Sequence, residues 1–197
     1  MHEITLKQEI FDAITDVCLD IYDEGVVVPV DEVLKRLMDV PGVPMHYPYH
    51  HYIQPAAFLT LAAIADEESR ETLERWLETA ERKGKSVPGG FCGNCGACGG
   101  GVGIGIFLST YTDTTPVSQS TWSIVNEGTG RALMHIATYP GPRCCKRVLF
   151  LGAQEGVRLA AEKFDLDLPI NADITCHYYQ KNPDCLGKDC PFYKEAE

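Results

Sequence analysis

The stretch from Gly89 to Phe107, GGFCGNCGACGGGVGIGIF, constrains this chain more than any other segment. It carries thiols at Cys92, Cys95 and Cys98, and a glycine follows each of them. A CxxCxxC run lets successive thiolates converge on one face of an iron–sulfur cubane, as in ferredoxin-type ligand runs. Around such a cluster the backbone adopts positive φ and turns amide N–H groups toward the sulfides, which residues without a Cβ do at least steric cost. Gly93, Gly96 and Gly99 stand where that argument puts them. Zinc is the competing occupant, since thiolates at close spacing suit it as well.

The length of 197 residues and a hydrophobic content of 45% allow one sizeable core. The N-terminal segment is polar and acidic, with no basic stretch before an apolar run, and nowhere do eighteen apolar residues follow one another. A cytoplasmic protein with no membrane partner is the expectation. There the thiols stay reduced, so nine cysteines read as metal ligands or reactive groups, not as disulfides. A formal charge of −11 excludes nucleic acid as the expected partner, because phosphate binding needs clustered cations. GVGIGIF is not a dinucleotide fingerprint, and no Walker lysine follows a glycine loop.

Hydrophobic spacing predicts a mainly α single-domain helical bundle, with a buried glycine-rich helix, cysteine-rich loops and an irregular cysteine-bearing tail. In residues 4 to 22, Ile10, Ile14, Val17, Cys18 and Ile21 share one helical face, which assigns Cys18 to the core. VDEVLKRLM is a second helix, stopped at Pro41-Gly42. Pro55 is expected to open a buried helix over AAFLTLAAIADEE, and residues 67 to 83 form an amphipathic one ended by Gly84. Thr115-Pro116 reads as the start of a helix to Thr138, with Trp122, Val125, Leu133, Met134 and Ile136 inward. Gly141-Pro142 leads into a last long helix, RCCKRVLFLGAQEGVRLAAEKF. The periodic pattern stops at Leu168, dividing a helical metal-binding core, residues 1–168, from a cysteine-rich tail, residues 169–197, packed on it.

Cys144 and Cys145 fall in the first turn of that last helix, where the dipole and the neighbouring Arg143, Lys146 and Arg147 are expected to make the thiols acidic. Adjacent cysteines rarely serve one metal, so one should ligate and the other act elsewhere. The tail holds Cys176, Cys185 and Cys190, with a spacing reminiscent of a CCCH zinc finger that lacks its histidine; His177 or Cys145 is available to complete it. One arithmetic partition joins Cys92, Cys95 and Cys98 to Cys144, and Cys176, Cys185 and Cys190 to Cys145. Upstream, MHYPYHHYIQP alternates His46, His50 and His51 with tyrosines and has no helical or strand period. It reads either as an aromatic loop over the core or as a source of an acid, a base or an anion clamp. His135 reads as a satisfied core histidine.

MHYPYHHYIQPAAFL, GFCGNCGACGGGVGIGIF and GPRCCKRV, in this order and followed by the three-cysteine tail, resemble an uncharacterised prokaryotic family of methanogens and other anaerobes, domain of unknown function 5714. The resemblance implies an anaerobic cytoplasm and carries no reaction. Buried glycine-rich helices beside cluster cysteines are also similar to iron–sulfur serine dehydratases and cysteine desulfidases, by analogy alone. Three readings follow. The first is an enzyme in which Cys92, Cys95 and Cys98 hold a 4Fe–4S cluster, with Cys144 the candidate fourth ligand of a closed one, and leave one iron open to act on a small anionic substrate in lyase or sulfur-transfer chemistry. Cys145, His50, His51 and Arg143 are its candidate catalytic residues. The second is a non-catalytic module in which zinc or a closed iron–sulfur cluster ties the tail to the body, with zinc as the alternative metal or as a second site. The third is a sulfur carrier or redox protein working through a free thiol.

Overall fold

The computed structural model describes residues 5–195; Ile4, at the expected start of the first helix, and the last two tail residues lie outside them. Eight α-helices and no strand form the described residues. Helix α1, Gln8–Glu24, lays Ile10, Phe11, Ile14, Cys18 and Ile21 on the core and ends at Gly25, whose φ of 67° is the left-handed turn that glycine permits. Helix α2 is Val30–Met38. Helices α3, Tyr49–Ala65, and α6, Gly99–Tyr111, form the centre, and both are apolar nearly all round. Such a helix has no face to give to water, so others must enclose it. Accordingly α3 packs on α1, α2, α4, α6 and α8, and α6 also on α4, α7 and α8.

Helix α4, Arg70–Ser86, is capped by the Ser69 hydroxyl, which accepts the Thr72 N–H. A single turn, α5, spans Phe91–Asn94. Helix α7 is Thr121–Ile136, and α8 is Cys145–Phe164. The chain then crosses α2 and α8 as an irregular strap with two short 3₁₀ turns, Tyr179–Lys181 and Gly187–Asp189. Named contacts hold the strap down. Pro169 C=O accepts Val30 N–H at 2.9 Å, the Asn171 amides donate to the buried Asp31 carboxylate at 3.0 and 3.3 Å, and Phe192 stacks edge-on against Phe150. Among the described residues no helix is long and apolar enough to cross a membrane.

Three sequence expectations are corrected. Helix α3 begins at Tyr49, so HHYIQ is helical and Pro55 lies inside the helix. The period was invisible because His50 and Gln54 are buried along with their apolar neighbours. Pro55 has no N–H to give the His51 carbonyl one turn earlier, and Gly84 of α4 packs there, where a Cβ would sit 3.2 Å from that oxygen. Gly84 is therefore a buried contact within α4, not its end. Finally, residues 115–118 form a turn in which the Thr115 N–H donates to the Ser118 hydroxyl, and α7 starts only at Thr121. Trp122 and Met134 are 50% and 72% exposed, because α7 packs on α6 and α8 through Gly128 and Ala132.

Candidate metal centres at the start of α8

Cys144 is the N-cap of α8 and Cys145 its first helical residue. The Cys144 sulfur accepts the Arg147 N–H at 3.5 Å, which turns this thiol back over the helix start. There it lines one cavity with Cys176, Cys185 and Cys190, beside Met45 and Phe192. Two of the tail sulfurs also accept amides: Tyr178 N–H to Cys176 and Gly187 N–H to Cys185, both at 3.4 Å. An amide aimed at sulfur favours thiolate over thiol, since neutral sulfur is a weak acceptor.

Cys145 does not line that cavity, and its ionisation is disfavoured by the thiols of Cys98 and of Cys144. Cys98 is the N-cap of α6 without a cap hydrogen bond to its sulfur; the nearby Gly100 and Gly101 amides favour its thiolate, and Cys92 is its electrostatic neighbour. Cys92 lies in α5 and Cys95 caps the end of that turn, exposed. The vicinal pair is thus distributed opposite to the sequence arithmetic: Cys144 sits with the tail thiols and Cys145 with the CxxCxxC run. The glycines also differ from expectation. Gly96 has positive φ, but Gly93 and Gly99 do not.

The expected acidity of the vicinal thiols is corrected as well. Burial pushes Cys144 up and Cys145 up to about 12, outweighing the helix start and the nearby arginines. Burial likewise raises Cys98, and Cys176 to about 11. Buried thiols of this kind are inert until a metal displaces their protons. As they stand, no three or more His, Cys, Asp or Glu side chains among the described residues are set to hold a metal ion.

The three histidines of the α3 entry have distinct tasks. His46 Nδ1 accepts the Cys145 N–H at 3.4 Å, so its Nε2 is the donor, to Asn182 Oδ1 at 3.2 Å; this ring ties α8 to the strap. His51 donates from Nδ1 to the Val87 carbonyl at 3.2 Å, which leaves Nε2 with a lone pair. That edge lies against Gly99, next to Cys98, and any Cβ at Gly99 would overlap the ring. Gly99 is a glycine because His51 occupies its side-chain space. His50 donates from Nδ1 to Tyr47 C=O at 2.8 Å, and its buried Nε2 has no partner among the described residues. Burial holds all three below the usual imidazole range.

Arg143 is exposed in the loop before α8 and reaches Cys145 only through its charge. His177 turns out to Asp39 at 3.2 Å, away from the tail thiols. His135 bonds Gln154 at 3.0 Å, and Cys18 is fully buried in the core. Residues missed from sequence include Lys146, 2% exposed, which donates to Met38 C=O at 3.4 Å and lies over the Tyr178 ring; burial lowers it to about 8. Its charge beside the vicinal cysteines was visible, its burial was not. Asn182 carried no sequence signal.

A family model matches residues 14–193, a span that contains all three motifs. The chain belongs to the family of unknown function DUF5714. No curated protein and no solved structure matches this DUF5714 chain.

Proposed function

We propose that this DUF5714 chain is an iron–sulfur protein whose cluster is held by Cys92, Cys95 and Cys98, with one iron left open for substrate and Cys145 beside it. The observation that carries the reading is the meeting of Cys98 and Cys145 at the N-termini of two long helices, α6 and α8. Both dipoles point their positive ends at the thiols, and the nearby Gly100 and Gly101 amides favour thiolate at Cys98, so an anionic cluster suits the place. The exposed Cys95 leaves one side accessible.

The reaction class proposed is elimination of water or hydrogen sulfide from a small carboxylate, or a related sulfur transfer. His51 is the proton-handling group, since it is held neutral with Nε2 free to accept beside Cys98. Arg143 supplies charge at the mouth, and Cys145 is the thiolate nearest the chemistry. His50 is sealed in the core and touches no substrate.

Anaerobic purification with iron, zinc and acid-labile sulfide analysis tests the cofactor. A brown protein with iron and sulfide in about equal amounts, lost in Cys92→Ser or Cys98→Ser and kept in Cys18→Ser, supports it. Zinc in the CxxCxxC site without sulfide overturns it. The substrate class is tested by adding small hydroxy- and thiol-carboxylates to the reduced protein and reading the paramagnetic signal of the cluster. A signal that none of them alters rejects direct action at the cluster.

A further inference from the structure

We propose a second centre, independent of the first: a single zinc ion held by four thiolates, Cys144, Cys176, Cys185 and Cys190. The sequence offers only three thiols in the tail, and the structure brings the fourth from the N-cap of α8. Four cysteines lining one cavity are the donor types of a closed structural zinc site, which their thiols would have to draw together to form.

Two buried side chains on the same cavity carry the argument further. Asn182 is 4% exposed; its Oδ1 is taken by His46 Nε2–H and by the Asp184 N–H at 3.1 Å, and its Nδ2 has no partner among the described residues. Arg147 is 5% exposed; its Nη2 donates to the Pro140 and Pro142 carbonyls at 3.0 and 2.9 Å, while its Nε–H is unpartnered. Both residues line the cavity. Buried N–H donors without acceptors cost free energy, so a pair of them on one wall calls for an electron-rich occupant. Zinc tetrathiolate carries two negative charges on its sulfurs, and Asn182 and Arg147, with the amides of Arg147, Tyr178 and Gly187, are the donors that would bond them.

Size selects the kind of centre. The enclosed space is about 10 Å³, about enough for one water-sized sphere. One ion fits once the thiolates draw in to about 2.3 Å, whereas a cubane of eight heavy atoms needs many times that volume. The ion would staple the strap to α8, and through the Asn182–His46 bond to the entry of α3.

The test uses the full chain with Cys92, Cys95 and Cys98 all changed to Ser, which leaves only the second centre, alongside the wild type. Zinc at about one per chain, and tetrathiolate ligand-field and charge-transfer bands when cobalt(II) replaces it, is the expected result. Loss of the ion in Cys185→Ser supports the assignment. Because that variant can also misfold, Asn182→Ala is read in parallel, with zinc affinity expected to fall about 10-fold or more while the helical signal stays unchanged. Iron with acid-labile sulfide in the triple variant, cobalt bands of mixed nitrogen or oxygen character, or zinc retained in Cys144→Ser would each overturn the proposal.

Discussion

Cys144 and Cys145 are adjacent in the chain and face different sets of thiols, Cys144 the cavity with Cys176, Cys185 and Cys190, and Cys145 the Cys98 side of α6. The local cause is the cap. Residue 144 is still extended, with φ −137° and ψ 109°, and residue 145 is already helical, so successive side chains leave the backbone in different directions. A vicinal pair at a helix start is thereby a divider between two sites.

The His51–Gly99 contact predicts a coupled pair of mutations. Gly99→Ala must displace the imidazole, and overpacking of this kind costs about 1–3 kcal/mol. For a chain of this size that lowers Tm by several degrees. In a His51→Ala background the same change should cost little. Thermal melts of the four proteins measure the coupling, and an equal cost of Gly99→Ala in both backgrounds would refute the contact.

Buried His50 predicts a pH dependence of stability. Its folded value lies well below 6.5, chiefly through desolvation and then the Lys146 charge, so the folded chain refuses a proton that the unfolded chain takes up. Its contribution is complete above pH 6.5 and is lost as pH falls below it. Wild-type stability should therefore decline as pH falls below 6.5, and His50→Gln should decline less steeply. Parallel slopes in denaturant titrations would show that His50 is not the group concerned.

Removal of the second ion should loosen the strap and leave the bundle folded. Its remaining ties include the Pro169, Asn171 and Tyr178 hydrogen bonds, the His177–Asp39 and His46–Asn182 contacts and the Phe192–Phe150 contact, which hold the strap on either side of residues 183–190. Chelation is expected to open protease cleavage between Asn182 and Cys190 with little loss of helical circular dichroism. Cleavage spread evenly over α1 to α8 would mean that the ion supports the whole fold.

The helical architecture was legible where one face meets water, as in α1, α2, α4 and α8, because there apolar spacing records the buried side. At α3 and α7 the helices were legible but not their starts, because the first turns of α3 bury His50 and Gln54, and in α7 Trp122 and Met134 are apolar yet outward. The cysteines could be counted and Cys18 set aside from its period alone. How the other eight divide was not legible, since spacing says nothing of which of Cys144 and Cys145 lines the tail cavity, nor of the unpartnered donors that Asn182 and Arg147 bury there. The glycines misled in part. Gly96 has the positive φ expected of it, but Gly99 answers to the bulk of His51 and Gly103 to Gln54, whose Cβ would lie 2.7 Å from an added methyl.

The two-centre account rests on the division of the vicinal pair, and metal analysis of anaerobically purified Cys144→Ser and Cys145→Ser tests it most directly. Cys144→Ser is expected to lose its zinc and keep iron and sulfide at the wild-type level. Cys145→Ser is expected to keep zinc and to lose or alter the iron–sulfur cluster. If each variant loses both metals equally, or if Cys144→Ser loses the iron and keeps the zinc, the assignment of the two thiols to separate centres is contradicted.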